Sequence, residues 1–394
     1  MFEPAHKRGT PGPPSVAGAI DADGHILEPP DVWQKHIDPK YRDRAIGLAT
    51  DANGWEIVMI DGRPSRLLPP GFAGTLGGMG DKQIFPGPER TYVRCAPFGS
   101  MNAKERVERI TNEGMRAAIL YPTLGILWES EVKDPELAGA YCRAYNRWIV
   151  DFCSDSGGRL VPIAHITLGD VEEAAREVER AVRSGAKGVF IHPFNWQRKS
   201  PGHPDFDRFW ATAQDLGVPV AIHPTADPPE LSVHNRFDEL MQKEPFDFTW
   251  FYDVTVAQGM QQCFTSLFHH GLFDRFPTLK FVVLESQAGW IGYLLDRMDE
   301  VFHGPLGPTT KLKEEPSFYF KRQCWISADP DEKAVSRIVD FVGAGRFFWA
   351  SDFPHPDHDD DYMTELAALV EPLSEDTRQK ILWKNVSECY GLGA

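Results

Sequence analysis

The sequence predicts an α/β protein whose eight parallel strands alternate with helices and close into a (β/α)8 TIM barrel. Eight short apolar runs recur along the chain, helical patterns separate most of them, and polar residues stand at the ends of many runs rather than at one crevice. An open doubly wound sheet is the alternative. Against it, no glycine-rich phosphate-binding turn follows the first run.

The apolar runs are the predicted barrel strands. Each is short and rich in Val, Ile, Phe or Ala, which is typical of strands that are buried on both faces. They occupy residues 16–25, 117–123, 160–166, 188–193, 218–224, 279–285, 323–329 and 346–352.

Helical patterns follow several of these strands. Residues 170–185 begin with Asp170, carry acidic residues in the first turn and end at Gly185, which are the signals of a capped helix. The same signals predict helices at 205–217 and 329–343. A further helix at 374–391 ends the chain.

Two long segments interrupt the regular alternation. Residues 31–100 form an insertion after the first strand, and residues 54–68 within it predict a hairpin that turns at Asp61-Gly62. Residues 225–250 form an insertion after the fifth strand. Loops of this kind build the substrate pocket of a barrel. We expect a flexible tail at 1–18 and one domain at 19–394.

Composition excludes several classes of partner. The chain has 394 residues and a net charge of 41 − 57 = −16, which disfavours binding to nucleic acid or anionic membranes. No apolar run approaches the roughly 18 residues that span a bilayer. The six cysteines are scattered and form no CxxC pair, which indicates reduced thiols and a cytoplasmic location.

Polar residues at the predicted strand ends form the candidate site. Because the carboxyl ends of parallel barrel strands meet at one mouth, these residues converge, and burying so many unpaired charges would cost several kcal/mol. A divalent metal balances that cost, and mixed imidazole and carboxylate ligands suit Zn²⁺, Mn²⁺ or Fe²⁺. The residues are His25, Thr123, His165, His192, His223, Glu285, Asp329 and Asp352.

The first strand contributes more than one polar group. Asp21, Asp23 and His25 alternate, so regular strand geometry would place all three side chains on one face. Asp23 and His25 can then reach the same ion. Asp21 has the alternative of capping a neighbouring loop.

Four motifs resemble the amidohydrolase superfamily, in particular its branch that contains aminocarboxymuconate-semialdehyde decarboxylase and γ-resorcylate decarboxylase. They are "DADGHILEPPD" at 21–31, "AIHP" at 221–224, "FPTLKFVVLESQAGWIGYLLDRMD" at 276–299 and "WASDFPHPD" at 349–357. The resemblance extends from about residue 19 to the C-terminus. It implies a distorted barrel that binds one divalent metal ion, zinc or manganese, through Asp23, His25, His223 and Asp352.

The sequence departs from this branch at the sixth strand, where many members place a catalytic histidine. Glu285 aligns there instead. We expect His192 or Glu285 to take over the acid–base role, alongside Asp352. Dinuclear members of the superfamily use a modified lysine at the end of the fourth strand. His192 occupies that position here, so one metal ion is expected rather than two.

The resemblance implies a lyase that removes carbon dioxide, without oxidation, from an aromatic or unsaturated carboxylic acid. Metal-activated water could instead hydrolyse an amide, lactone or C–C bond, or hydrate an unsaturated acid. A third hypothesis is a barrel that binds a ligand without catalysing a reaction. The candidates for holding a substrate carboxylate are Arg63, Arg66, Arg198 and Arg236. A homodimer or larger homo-oligomer is implied by resemblance alone.

Overall fold

The computed structural model describes residues 8–81, 85–232, 237 and 250–393. Within these ranges, no helix is both long and apolar enough to cross a membrane. The strands are β1 (Ile20–Ile26), β2 (Gly47–Thr50), β3 (Glu56–Ile60), β4 (Arg63–Pro64), β5 (Ala117–Pro122), β6 (Leu160–His165), β7 (Gly188–Ile191), β8 (Val220–Ile222), β9 (Phe281–Val283), β10 (Cys324–Ala328) and β11 (Phe347–Trp349).

Eight of these strands form the parallel barrel, and each overlaps one of the predicted apolar runs. Their order in the sheet is β1-β5-β6-β7-β8-β9-β10-β11, and every residue in them is buried. The segment after β11 returns to β1: the Asp352 N–H donates to the Asp23 carbonyl at 2.9 Å, and the His25 N–H donates to the Phe353 carbonyl at 2.7 Å. These bonds nearly close the barrel, as predicted.

The helices pack between and around the strands. They are α1 (Val32–His36), α2 (Ala103–Asn112), α3 (Pro135–Ser154), α4 (Val171–Ser184), α5 (Asp207–Leu216), α6 (Trp250–Thr255), α7 (Ala257–His269), α8 (Leu272–Arg275), α9 (Ile291–His303), α10 (Pro316–Gln323), α11 (Val335–Val342), α12 (Tyr362–Val370), α13 (Glu375–Gln379) and α14 (Asn385–Tyr390).

Local chemistry explains where the predicted helices begin. Asp170 caps α4, because its carboxylate accepts the N–H groups of Glu172 and Glu173. The helix predicted at 329–343 begins only at Val335. The residues before it form a turn in which the Glu332 carboxylate accepts the Asp329 N–H at 2.9 Å.

The insertion after β1 contains the predicted hairpin. β3 pairs with β4 in antiparallel register, with Ile60 opposite Arg63, and β2 adds a third strand. Asp61 and Gly62 form the turn with φ of 57° and 71°. Two successive positive φ angles are typical of a type I′ turn, which explains the Asp-Gly pair.

Candidate metal centre and active site

The carboxyl ends of the barrel strands bring the predicted polar residues to one end of the molecule. His25 lies in β1 and His165 ends β6, and the other six follow their strands by one to three residues. All are buried except Glu285, whose side chain is 23% exposed. The tertiary structure therefore gathers side chains that lie up to several hundred residues apart.

The first strand divides its polar residues between two environments. The pairing of β1 with β5 shifts register between Asp21 and Gly24. Asp21 accepts hydrogen bonds from the N–H of Ser351 at 2.9 Å and from its hydroxyl at 2.6 Å, away from the imidazoles. Of the two alternatives for Asp21, the structure therefore supports the contact with a neighbouring loop, and Asp23 and His25 alone face the same centre.

Two histidines form the middle of the centre. Their Nδ1 atoms face backbone carbonyls, at 2.7 Å from Pro122 O for His25 and 2.8 Å from Pro224 O for His223. Because a carbonyl can only accept, each Nδ1 carries hydrogen, and in the neutral rings each Nε2 has a free lone pair. The two Nε2 atoms lie 3.2 Å apart.

Carboxylates surround this pair. Asp23 Oδ1 lies 3.5 Å from His25 Nε2, Glu285 Oε2 lies 2.9 Å from His223 Nε2, and Asp352 Oδ1 lies 3.2 Å from His25 Nε2. Two overlapping groups have ligand atoms within 4.8 Å of one another. They are Asp23, His25, His223 and Glu285, and His25, Glu285, Asp352 and His355.

These residues fit a divalent cation. Among the described residues, both oxygens of Asp23 and of Asp352, and Oε2 of Glu285, are buried without a hydrogen-bond partner. Facing lone pairs and unpaired carboxylates repel one another unless a positive charge lies between them. A donor set of imidazole nitrogens and carboxylate oxygens suits Zn²⁺ or Mn²⁺.

In the metal-free protein, a proton supplies this positive charge. Burial opposes protonation of His223, but the carboxylates of Glu285 and Asp23 outweigh it and raise the pKa of His223 well above its usual range. Burial likewise opposes ionisation of Asp23. The positive charge on His223 and the nearby imidazole of His25 nevertheless lower the pKa of Asp23 to about 2.

Asp352 connects the centre to a third histidine. Its Oδ1 lies 2.9 Å from His355 Nδ1, and His355 Nε2 lies 3.1 Å from the Thr123 hydroxyl oxygen. Burial and the neighbouring Glu285 carboxylate raise the pKa of Asp352 well above its usual range. In the metal-free protein this carboxyl group therefore holds a proton more readily than an ordinary aspartate.

Backbone conformation also marks the centre. Glu285 and Asp352 adopt φ of 41° and 52°, in the left-handed region that residues with a side chain rarely occupy. Strained conformations of this kind concentrate at functional sites because the surrounding structure has to maintain them.

His192 belongs to a neighbouring group. Its Nδ1–H donates to the carbonyl of His223 at 3.1 Å, and its Nε2 lies 3.8 Å from Glu129 Oε2. His165 Nε2 lies 3.0 Å from the same carboxylate oxygen. Burial lowers the pKa of His165 and of His192 to about 3, so both rings are neutral at neutral pH. Glu285, rather than His192, contacts the imidazole pair.

Three of the four arginines considered for a substrate carboxylate are exposed. Arg63 and Arg66 are exposed and lie 3.8 Å from Asp61 and 3.5 Å from Glu131, respectively. Arg198 is exposed. Arg236 lies outside the described residues.

Sequence reasoning left His355 without a role and did not identify Glu129. The spacing Asp352-x-x-His355 was the available signal for the histidine, because the two residues lie in one tight turn in which the His355 N–H donates to the Asp352 carbonyl at 2.9 Å. No sequence pattern marks Glu129 as a site residue. It lies in a loop after β5, and only the fold brings it to His165 and His192.

Known proteins share this fold. The crystal structure of an amidohydrolase from Mycobacterium avium subsp. paratuberculosis K-10 aligns with a TM-score of 0.78 at 21% identity, covering 95% of this chain and 99% of that one. A dihydroxybenzoic acid decarboxylase from Polaromonas sp. JS666, solved with manganese and the inhibitor 2-nitroresorcinol, aligns with a TM-score of 0.64 at 19% identity. That alignment covers 95% of this chain and 97% of the decarboxylase.

Sequence comparison leads to the same group. A γ-resorcylate decarboxylase from Polaromonas sp. (strain JS666) is 24% identical over 322 residues, which are 73% of this chain and 86% of that protein. The family model described as Amidohydrolase matches residues 105–392. The chain therefore belongs to the amidohydrolase family and is an enzyme.

Proposed function

We propose that this enzyme is a metal-dependent lyase that removes carbon dioxide, without oxidation, from an aromatic carboxylic acid. The observation that carries the proposal is the pair of His25 and His223 Nε2 atoms, 3.2 Å apart and surrounded by carboxylates. Decarboxylases with this fold and family support the choice of reaction.

Asp23, His25 and His223 are the proposed core of the metal site, completed by Glu285 or Asp352. A divalent metal bound there supplies a Lewis acid that polarises and orients substrate oxygens. Manganese, present in the related decarboxylase, and zinc both suit this donor set.

Asp352 is the proposed proton donor. In decarboxylation the bond between the ring carbon and the carboxyl carbon breaks, and its electron pair stays on the ring carbon. A proton must then reach that carbon while carbon dioxide leaves. Burial favours the neutral carboxyl group of Asp352. His355 contacts Oδ1 at 2.9 Å and so acts as a positioning residue for this group.

We propose that Glu285 acts beside Asp352. Its carboxylate contacts His223 at 2.9 Å and retains 23% exposure, so it can exchange protons with solvent. That combination suits a group that returns a proton to the site after each turnover.

The test combines metal analysis with a reaction screen. Protein purified without chelator should contain metal at Asp23, His25 and His223 and release carbon dioxide from 2,6-dihydroxybenzoate or a related hydroxybenzoate. His223→Ala should lose both properties. His303→Ala is the matched control, because His303 is exposed and pairs with Glu315 at 3.0 Å on the surface.

Hydrolysis of amides or lactones without carbon dioxide release from any aromatic acid would contradict the lyase. It would favour metal-activated water as the mechanism instead. A wild-type protein without metal would contradict the proposed centre itself.

We further propose a cytoplasmic homodimer or larger homo-oligomer that acts on a small molecule. All six cysteines are free and buried, as reduced structural thiols are. The net charge of −16 disfavours nucleic acid and anionic membranes as partners. Light scattering of the purified protein measures the number of chains in the assembly, and a monomeric mass would exclude a homo-oligomer.

A further inference from the structure

We propose that Glu129, His165 and His192 bind a second divalent cation, and that Zn²⁺ fits their ligand set best. This inference does not depend on the proposed decarboxylation. It differs from the single metal ion expected from the sequence, and it concerns side chains outside the centre of His25 and His223.

The three side chains offer ligand atoms at suitable separations. Glu129 Oε2 lies 3.0 Å from His165 Nε2 and 3.8 Å from His192 Nε2, and all three atoms lie within 4.8 Å of one another. Zinc bonds of about 2.0–2.2 Å in a tetrahedral site place neighbouring ligand atoms roughly 3.3–3.6 Å apart. Two histidines and one glutamate are also the ligands of one class of zinc site that keeps a position open.

A buried nitrogen of His192 also indicates a cation at this cluster. Its Nδ1–H donates to the His223 carbonyl, so the neutral ring has a lone pair on Nε2. This atom is buried and has no hydrogen-bond partner among the described residues. A lone pair that faces a carboxylate oxygen in a buried site is unfavourable unless a cation or a proton lies between them.

Neighbouring groups hold the ligands in place. The Thr167 hydroxyl donates to Glu129 Oε1 at 2.6 Å, which leaves Oε2 to face the histidines. The Trp196 indole N–H donates to the Glu129 carbonyl at 3.0 Å. Contacts of this kind orient the ligands in known metal sites.

The cluster is separate from the first centre. Phe190 packs against His165 with ring centroids 4.4 Å apart and lies 5.9 Å from the ring of His223. The only hydrogen bond recorded between the two sets, within the described part of the chain, uses the backbone carbonyl of His223. The second site can therefore be removed by changing Glu129 without changing a ligand of the first.

The experiment counts zinc ions. Chelator-stripped protein is incubated with excess Zn²⁺, desalted and analysed for zinc per chain. We expect two ions in the wild type and one in Glu129→Gln, which keeps the side-chain shape. Glu131→Gln is the matched control with two ions expected, because Glu131 is equally buried nearby but bonds to Ser65 and Arg66. His223→Ala should retain the second ion.

Other outcomes overturn the proposal. One such outcome is a wild type that binds at most one zinc ion, together with a His223→Ala variant that binds none. Glu129 and the two histidines would then form a hydrogen-bonded network without a metal ion. Two ions in Glu129→Gln place the second ion elsewhere. Anomalous diffraction at the zinc edge checks the position: the proposal requires a peak between Glu129 Oε2 and the two Nε2 atoms. Neither result depends on whether the enzyme releases carbon dioxide.

Discussion

Asp21 and Asp23 show how two identical residues on one strand acquire different roles. Both are buried, but Asp21 receives two hydrogen bonds from Ser351, whereas both oxygens of Asp23 lack a hydrogen-bond partner among the described residues. Asp21 therefore joins two segments of backbone. Asp23 remains available to a cation, and the proposed metal role of Asp23 follows from this difference.

Asp352→Asn tests the proposed proton donor. The amide keeps the size of the side chain but cannot deliver the carboxyl proton, so we expect kcat for carbon dioxide release to fall by about 10²–10⁴-fold. The measurement is steady-state kinetics on protein whose circular dichroism matches the wild type. Asp376→Asn is the control, because Asp376 is exposed and pairs with Lys380 at 2.6 Å, and it should leave kcat within about twofold of the wild type. Unchanged kcat in Asp352→Asn would assign the proton to another group.

Metal affinity should depend on pH through His223. Its pKa is raised in the metal-free protein, so at neutral pH its Nε2 holds a proton that the metal must displace. Below that pKa we expect the apparent affinity to fall at least tenfold for each pH unit, and more steeply if Asp352, whose pKa is also raised, completes the ligand set. Asp23, with its pKa near 2, stays ionised and adds no dependence. The affinity is measured by titrating chelator-stripped protein with Mn²⁺ at several pH values between about 5 and 9. An affinity that does not change with pH would show that His223 is not a ligand.

At the scale of elements, the seam between β1 and the segment after β11 positions the centre. The Asp21 carboxylate accepts both donors of Ser351, and Asp352 follows Ser351 directly. The two segments are joined further by the backbone bond from Asp352 to the Asp23 carbonyl. The position of Asp352 therefore depends on this seam as much as on β11 itself.

Asp21→Asn should weaken the seam. The new NH₂ group meets the donors of Ser351, and a buried donor left unsatisfied costs about 1–3 kcal/mol. We expect the free energy of unfolding to fall by that amount in urea denaturation, together with a loss of metal affinity. Asp31→Asn is the control, because Asp31 is 57% exposed and forms only a surface pair with Lys35. Wild-type stability in Asp21→Asn would show that the seam is held by the backbone bonds alone.

For the whole molecule, folding and metal binding are coupled. The centre draws ligands from β1 and from the segments after β8, β9 and β11, so the complete ligand set exists only in the folded chain. A metal bound to the folded state alone stabilises it by about 2.7 kcal/mol when its concentration is 100 times its Kd.

Removal of the metal should therefore lower the melting temperature by several degrees in the wild type. His223→Ala, which already lacks a ligand of this centre, should show a smaller shift in melting temperature with chelator than the wild type. Differential scanning calorimetry of both proteins with and without EDTA measures the difference. An equal shift in the two proteins would place the stabilising ion at another site.

The sequence by itself determined the barrel and the set of polar residues at its mouth. Short apolar runs specify buried strands through local patterning, and parallel strands must carry their last residues to the same end. Among these polar residues, resemblance to the family motifs identified the proposed ligands Asp23, His25, His223 and Asp352. The hairpin at Asp61-Gly62 followed from turn chemistry in the same way.

Only the tertiary structure decided which polar residues face one another. The register shift in β1 separates Asp21 from Asp23, and a loop brings Glu129 to His165 and His192. Neither arrangement has a local signal, because ångström-scale distances between side chains depend on strand register and loop path rather than on residue spacing. The sequence thus located the mouth of the barrel, and packing assigned Glu285 to the imidazole pair and His192 to a separate cluster.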